Sequence, residues 1–140
     1  MPVISDQGVV GRIFRVGSNF ADIQRLGDNH FSLDVLIQRN RVQGILKGVG
    51  RHRCMLQLHR KADIRIGDTV VTSGLSGSFP KGLPVGKVIR VSYESDNISQ
   101  VVSVQPWVES QGFDELMVLQ YQSEEIKTIS TATNGEWLKL

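Results

Sequence analysis

The chain has 140 residues, 40% hydrophobic and 21% charged; this length suits one compact domain or two very small ones, and the composition excludes disorder over most of it. Sixteen Lys and Arg against 14 Asp and Glu leave a net charge of +2, too little to mark a nucleic-acid binder by itself. One cysteine excludes an internal disulfide, no apolar run reaches the ~20 residues of a membrane-crossing helix, and the opening Met1-Pro2-Val3-Ile4 is unlike a secretory signal.

Aromatics are only 6% of the residues, so the core must come from Val, Ile and Leu, which suit pleated sheets. In chain order, Val10-Gly11-Arg12-Ile13-Phe14-Arg15-Val16 reads as a strand, with Arg12 pointing outward. Ser18 to Ile23 reads as a single helical turn capped by Ser18. Phe31, Leu33, Val35 and Ile37 share one face of a strand, as do Cys54, Leu56 and Leu58, and later Ile98, Val102 and Val104, with Gln100 a polar interruption. Turn signals fall at Gly27-Asp28-Asn29, Gly48-Val49-Gly50, Gly67-Asp68 and Gln111-Gly112. The first strand is echoed by Val85-Gly86-Lys87-Val88-Ile89-Arg90-Val91, which implies two related small β units. A glycine in such a strand lets one backbone approach another closely. Residues 126 to 140 read as a hairpin around Asn134-Gly135 with Trp137 as anchor, or as a frayed tail.

The charge is uneven. Between Gln38 and Ala62 lie Arg39, Arg41, Lys47, Arg51, Arg53, Arg60 and Lys61 with no carboxylate, whereas the later half carries Glu94, Asp96, Glu109, Asp114, Glu115, Glu124 and Glu125. An OB-like module for single-stranded nucleic acid or an anionic glycan would pair such a patch with stacking aromatics. Residues 39 to 61 contain none, so this stays the alternative.

No constellation points to catalysis. Thr72 to Lys87 is dense in glycine and proline, but a phosphate loop needs Gly-Lys-Ser/Thr opening a helix, and prolines remove the N–H donors. Gly74-Leu75-Ser76-Gly77-Ser78 misses the hydrolase elbow by one position. His30, His52 and His59 read as exposed side chains, and alternation turns Cys54 away from His52 and His59, against a shared metal. Cys54 reads as a buried small hydrophobe. Neither metal, cofactor nor catalytic residue is expected. The bend is read as architectural, built on Gly74, Gly77, Phe79, Pro80, Gly82, Pro84 and Gly86, with Phe79 as plug and Lys81 exposed at its tip.

Met1-Pro2-Val3-Ile4, Gly8-Val9-Val10-Gly11-Arg12-Ile13, and the succession Thr72-Ser73-Gly74-Leu75, Phe79-Pro80-Lys81-Gly82 and Pro84-Val85-Gly86 together resemble the extracytoplasmic β domain of the MreC family of rod shape-determining proteins. The resemblance implies an all-β fold of two small six-stranded-type β-barrels in a chymotrypsin-like arrangement, without protease activity. The units are expected at 1–62 and 63–121, with strand exchange allowed, and a C-terminal extension at 122–140. It further implies a non-enzymatic scaffold that self-associates and binds a class B penicillin-binding transpeptidase, coupled to MreB through MreD and RodZ. Its place would be periplasmic, anchored in the inner membrane by an N-terminal helix that this sequence lacks, with no nucleic-acid role. Candidate partner-binding residues are Arg39, Arg41, Arg51, Arg53 and Lys81.

Overall fold

The computed structural model describes residues 1–108, 115–122, 125–133 and 138–139, and every regular element there is a strand. In chain order these are β1 (Pro2–Ser5), β2 (Gly8–Val16), β3 (Ala21–Arg25), β4 (Ser32–Ile37), β5 (Gln43–Gly50), β6 (Arg53–His59), β7 (Thr69–Thr72), β8 (Pro84–Tyr93), β9 (Ser99–Pro106), β10 (Glu115–Gln122), β11 (Glu125–Thr133) and β12 (Leu138–Lys139). β4-β5-β6-β9-β8-β7 close into a barrel, and β11-β10-β1-β2-β3-β12 form a second six-stranded sheet.

The strands form where residues alternate, because each must present one face to a core. Along β6, Cys54, Leu56 and Leu58 are buried while Arg53, Gln57 and His59 are exposed. They meet Phe31, Leu33, Val35, Leu46, Val88 and Val102 inside the barrel. A smaller core of Val3, Val10, Ile23, Leu116 and Val118 fills the second sheet.

The echoed strands fall one in each unit, and the equivalence runs past sequence. Val3 pairs with Gly11 and Val70 with Gly86; Ile4 pairs with Val9 and Val71 with Pro84. On the other side Gly11 pairs with Arg25 and Gly86 with Pro106, and both ladders slip by one residue just beyond, at Ile13/Arg15 and Val88/Arg90. A Cβ on Gly11 would collide with the Gln24 carbonyl, and one on Gly86 with the Gln105 carbonyl. Thus β1-β2-β3 and β7-β8-β9 are the same unit built twice, and the glycines mark the strand crossing that each requires. The likeness ends at the last strand. β6 runs antiparallel to β9 over Cys54 to His59, whereas β12 lies parallel to β3 through two residues.

Several expectations need correction. The boundary at residue 62 falls inside the closed barrel, which takes β4 to β6 from residues 1–62 and β7 to β9 from 63–121, because β4 pairs with β7. Residues beyond 122 supply β11 and β12 to opposite edges of the other sheet, so they do not form one hairpin; Asn134, Gly135 and Trp137 lie outside the described residues. The helical turn at Ser18 is absent, since Ala21 and Ile23 are inward residues of β3. Gly48-Val49-Gly50 ends β5, and the turn is Arg51-His52. Ile98 is 60% exposed in the β8–β9 turn, because Asp96 Oδ1 accepts from Ile98 N and Ser99 N and holds the chain outside the ladder.

Arg12 also departs from the outward reading. Its guanidinium lies over the Phe31 ring at 4.5 Å and the Phe79 ring at 5.7 Å, and donates to Ser32 O. A residue of the second sheet thereby clamps the barrel. Burial lowers its pKa, partly offset by the field of Asp34. Its echo, Lys87, is exposed and stands 5.9 Å from the Trp107 ring.

Candidate functional site

The bend between β7 and β8 spends its polar groups on itself. Thr72 Oγ1 donates to Pro80 O at 2.6 Å and accepts from Leu83 N at 2.8 Å, while Gly82 N donates to Thr72 O. Phe79 is buried in the barrel core, and Pro80 is buried beside it. Ser76 and Ser78 hydroxyls lie 2.8 Å apart and share a hydrogen bond. Gly74, Gly77 and Gly82 have φ of 75°, 78° and 88°, left-handed values that glycine adopts freely. Pro84 and Gly86 belong to β8, and Lys81 is exposed. The bonds at Thr72 and the buried Phe79 thus hold the loop in one shape.

The basic residues part company. Arg39 and Arg41 lie in the β4–β5 turn, while Arg51 and Arg53 lie at the other end of the eight-residue β5, about 25 Å away. Arg39 is committed to the fold: its Nε donates to Asp68 Oδ1 at 2.8 Å, and its terminal nitrogens reach Asp63 Oδ2 and Asp68 Oδ2 at 3.0 Å. Arg39 hydrogen bonding holds both carboxyls below their usual range, and the carboxylates raise the guanidinium pKa in return. Asp68 also accepts from Arg65 N, so this cluster staples the β6–β7 connection to the β4–β5 turn. Gln100 fastens the same connection from inside, its Nε2 donating to His59 O at 2.9 Å and Ala62 O at 2.8 Å. The polar interruption in β9 is therefore a strut.

Arg41, Arg51, Arg53 and Lys81 are exposed. His52 differs from the exposed reading: it is half-buried, and its Nε2–H donates to Val108 O at 2.6 Å, tying the β5–β6 turn to the exit of β9. His30 and His59 are exposed. Cys54 is buried, and desolvation pushes its thiol pKa up to about 12. Among the described residues no three of His, Cys, Asp and Glu gather to hold a metal, and no helix is long and apolar enough to cross a membrane.

Sequence reasoning missed Asp63, Asp68, Gln100 and the clamp at Arg12. Gly67-Asp68 left a trace as a turn signal, Gln100 as a break in an apolar run and Arg12 as a strand residue read as outward; the roles of all four depend on which strands become neighbours. It also passed over Ile45, Val49 and Met55 on the outer side of β5 and β6, where Ile45 is 52% exposed and Val49 48%.

A family model for the barrel core of the rod shape-determining protein MreC matches residues 1–120. The cell shape-determining protein MreC of Haemophilus influenzae is 42% identical over 108 residues, covering 75% of this chain and 30% of that protein. The chain thus spans under a third of that relative's length. The crystal structure of MreC from Pseudomonas aeruginosa superposes with a TM-score of 0.72 at 34% identity, over 76% of this chain and 70% of that one. A chain in the complex between penicillin-binding protein PBP2 and MreC from Helicobacter pylori is 20% identical, with a TM-score of 0.55 over 79% of this chain and 88% of that one, a likeness of fold.

Proposed function

Because this chain belongs to the MreC family of rod shape-determining proteins, we propose that it is a non-enzymatic scaffold of the bacterial cell-elongation complex. It acts outside the inner membrane, tethered there by another part of a longer protein. Its barrel surfaces bind a class B penicillin-binding transpeptidase and further copies of the chain, and the tethered assembly connects to MreB through MreD and RodZ. A rigid docking body of this kind changes its partner by binding one conformation better than another, which shifts the population toward the active form.

The observation that carries this reading is the match to the MreC barrel core over residues 1–120. Two further observations support it. A solved structure holds MreC from Helicobacter pylori in complex with the penicillin-binding protein PBP2. The bend that looked most like a reactive loop is closed on itself through Thr72 and Phe79, which suits a fixed surface. The nucleic-acid alternative loses ground to the family membership and to Arg39, whose charge Asp63 and Asp68 already meet.

The test is a replacement in a rod-shaped host. The β domain of the resident MreC is exchanged for this chain, with a graft of the host's own domain as control. Rods are expected; round cells despite a stable, correctly located fusion would overturn the proposal.

A further inference from the structure

Where the two units meet, the start of β8 lies against the β1–β2 turn: a Cβ on Gly8 would collide with the Pro84 carbonyl, so the two backbones touch. At this junction is an open cleft of about 320 Å³, lined among the described residues by Gln7, Pro84 and Trp107. Small-molecule sites run from ~300 to ~1,000 Å³, so the cleft has room for a small ligand.

Its backbone is fixed, and its polar groups are unspent. Trp107 directly follows β9, and its N–H donates to Val85 O at 3.0 Å, which ties the residue to β8. The indole is 39% exposed. Gln7 is exposed; its backbone N donates to Ser5 Oγ at 3.1 Å, but its side-chain amide has no partner among the described residues. Lys87 Nζ stands 5.9 Å from the centre of the Trp107 ring, and this exposed cation has no ion pair among the described residues. The internal echo gives the pair a meaning. Arg12, the counterpart of Lys87, spends its cation on Phe31 and Phe79 of the other unit. Lys87 keeps to a ring of its own unit, and the two remain open to solvent.

The chemistry of this set selects a ligand. A pyranose ring offers a face of C–H groups that packs on the electron-rich face of an indole. Its rim of hydroxyl and acetamido groups needs both donors and acceptors, and a primary amide supplies both. A neighbouring ammonium adds a place for a carboxylate. We propose that this cleft binds a carbohydrate chain that bears carboxylates. Trp107 stacks on one sugar face, the Gln7 amide bonds the groups at its rim, and Lys87 meets the carboxylate. A proline-rich peptide would require a groove lined by aromatics, and among the described residues Trp107 is the one aromatic here. The inference rests on the extracytoplasmic scaffold proposed above and adds a ligand of its own to it.

The test follows the indole N–H signals of the isotopically labelled full chain by nuclear magnetic resonance. The titrants are peptide-free oligomers of alternating N-acetylglucosamine and N-acetylmuramic acid, chitotetraose as the carboxylate-free comparison, and a proline-rich peptide. The Trp107 signal, assigned by its loss in Trp107→Phe, should shift saturably with the carboxylated oligomer and less with chitotetraose. Trp107→Ala should weaken binding at least about tenfold. Lys87→Gln should bring the affinity for the carboxylated oligomer down to that for chitotetraose, and Gln7→Ala should weaken both by about threefold or more. Gln7 and Lys87 are exposed, so these two variants decide the matter even where Trp107→Ala fails to fold. An unmoved Trp107 signal at millimolar sugar, equal affinity for the two oligomers, or binding that survives Trp107→Ala or Lys87→Gln unchanged would overturn the proposal. So would a shift caused by the proline-rich peptide alone. Transpeptidase binding by the same chain separates this proposal from the scaffold. Transpeptidase bound without sugar refutes the cleft and leaves the scaffold standing, whereas sugar bound without transpeptidase does the reverse.

Discussion

Gly86→Ala should be among the most damaging single methyl additions in the chain. A Cβ at this position lies 2.9 Å from the Gln105 carbonyl carbon and 3.0 Å from Val104 Cγ1, and nearer still to the Gln105 oxygen. Unstrained carbon contacts need about 3.5–4.0 Å, so β8 and β9 must part by roughly 1 Å beside the ladder slip. Overpacking of this order costs about 1–3 kcal/mol. Backbone atoms yield least, so the upper figure, about 3 kcal/mol, is expected, a large share of the ~5–15 kcal/mol that holds a domain together. Tm should fall by roughly 10 °C. Urea unfolding followed by Trp fluorescence measures it, with Gly77→Ala as control: nothing lies within 4 Å of that added methyl, and its φ of 78° predicts only about 1–2 kcal/mol. Gly11→Ala should repeat the larger loss in the other unit. If Gly86→Ala proves no worse than Gly77→Ala, close strand approach is not what requires glycine here, and the argument for equivalent units fails with it.

Leu56→Ala, at a fully buried position of the barrel core, should cost about 2–5 kcal/mol by the same unfolding assay. The Asp68 carboxyl is held low by Arg39 hydrogen bonding, so its folded pKa lies below its unfolded value near 4. Its stabilisation is complete above about pH 4 and is lost as pH falls through the folded value, so Asp68→Asn should flatten the acid limb of a stability-against-pH curve. An acid limb unchanged by Asp68→Asn would contradict the staple. Cys54, with its pKa near 12, should resist a thiol reagent at pH 8 in the folded chain and react on unfolding. Gly82→Ala and Pro84→Ala, if folded, should keep transpeptidase affinity; loss of binding without loss of stability would make the bend a contact.

Local pattern made much of the fold legible. Alternation located the strands that frame the barrel, because a face turned to the core must be apolar at every second residue. The echo of Val10–Val16 in Val85–Val91 was visible because the same strand crossing needs the same glycine. Arg39 illustrates what stayed hidden. In sequence it is one cation among seven; only closure of β4 on β7 brings Asp63 and Asp68 to it. Arg12 is similar, since no local rule says that a strand of one sheet will lay its guanidinium on Phe31 and Phe79 of the other. Gln100 broke an apolar run, and its purpose lies in the carbonyls of a connection some forty residues earlier. The hairpin face was half seen: Arg51 and Arg53 stood out as charges, whereas Ile45 and Val49 gain meaning only once their exposure is known.

Calorimetric titration of this chain into the purified extracytoplasmic region of a class B penicillin-binding protein, from a bacterium whose MreC is closely similar, tests the scaffold most directly. Saturable binding that leaves transpeptidase acylation by penicillin intact is the predicted result. Absence of heat at high micromolar concentration, with both proteins folded, would contradict it.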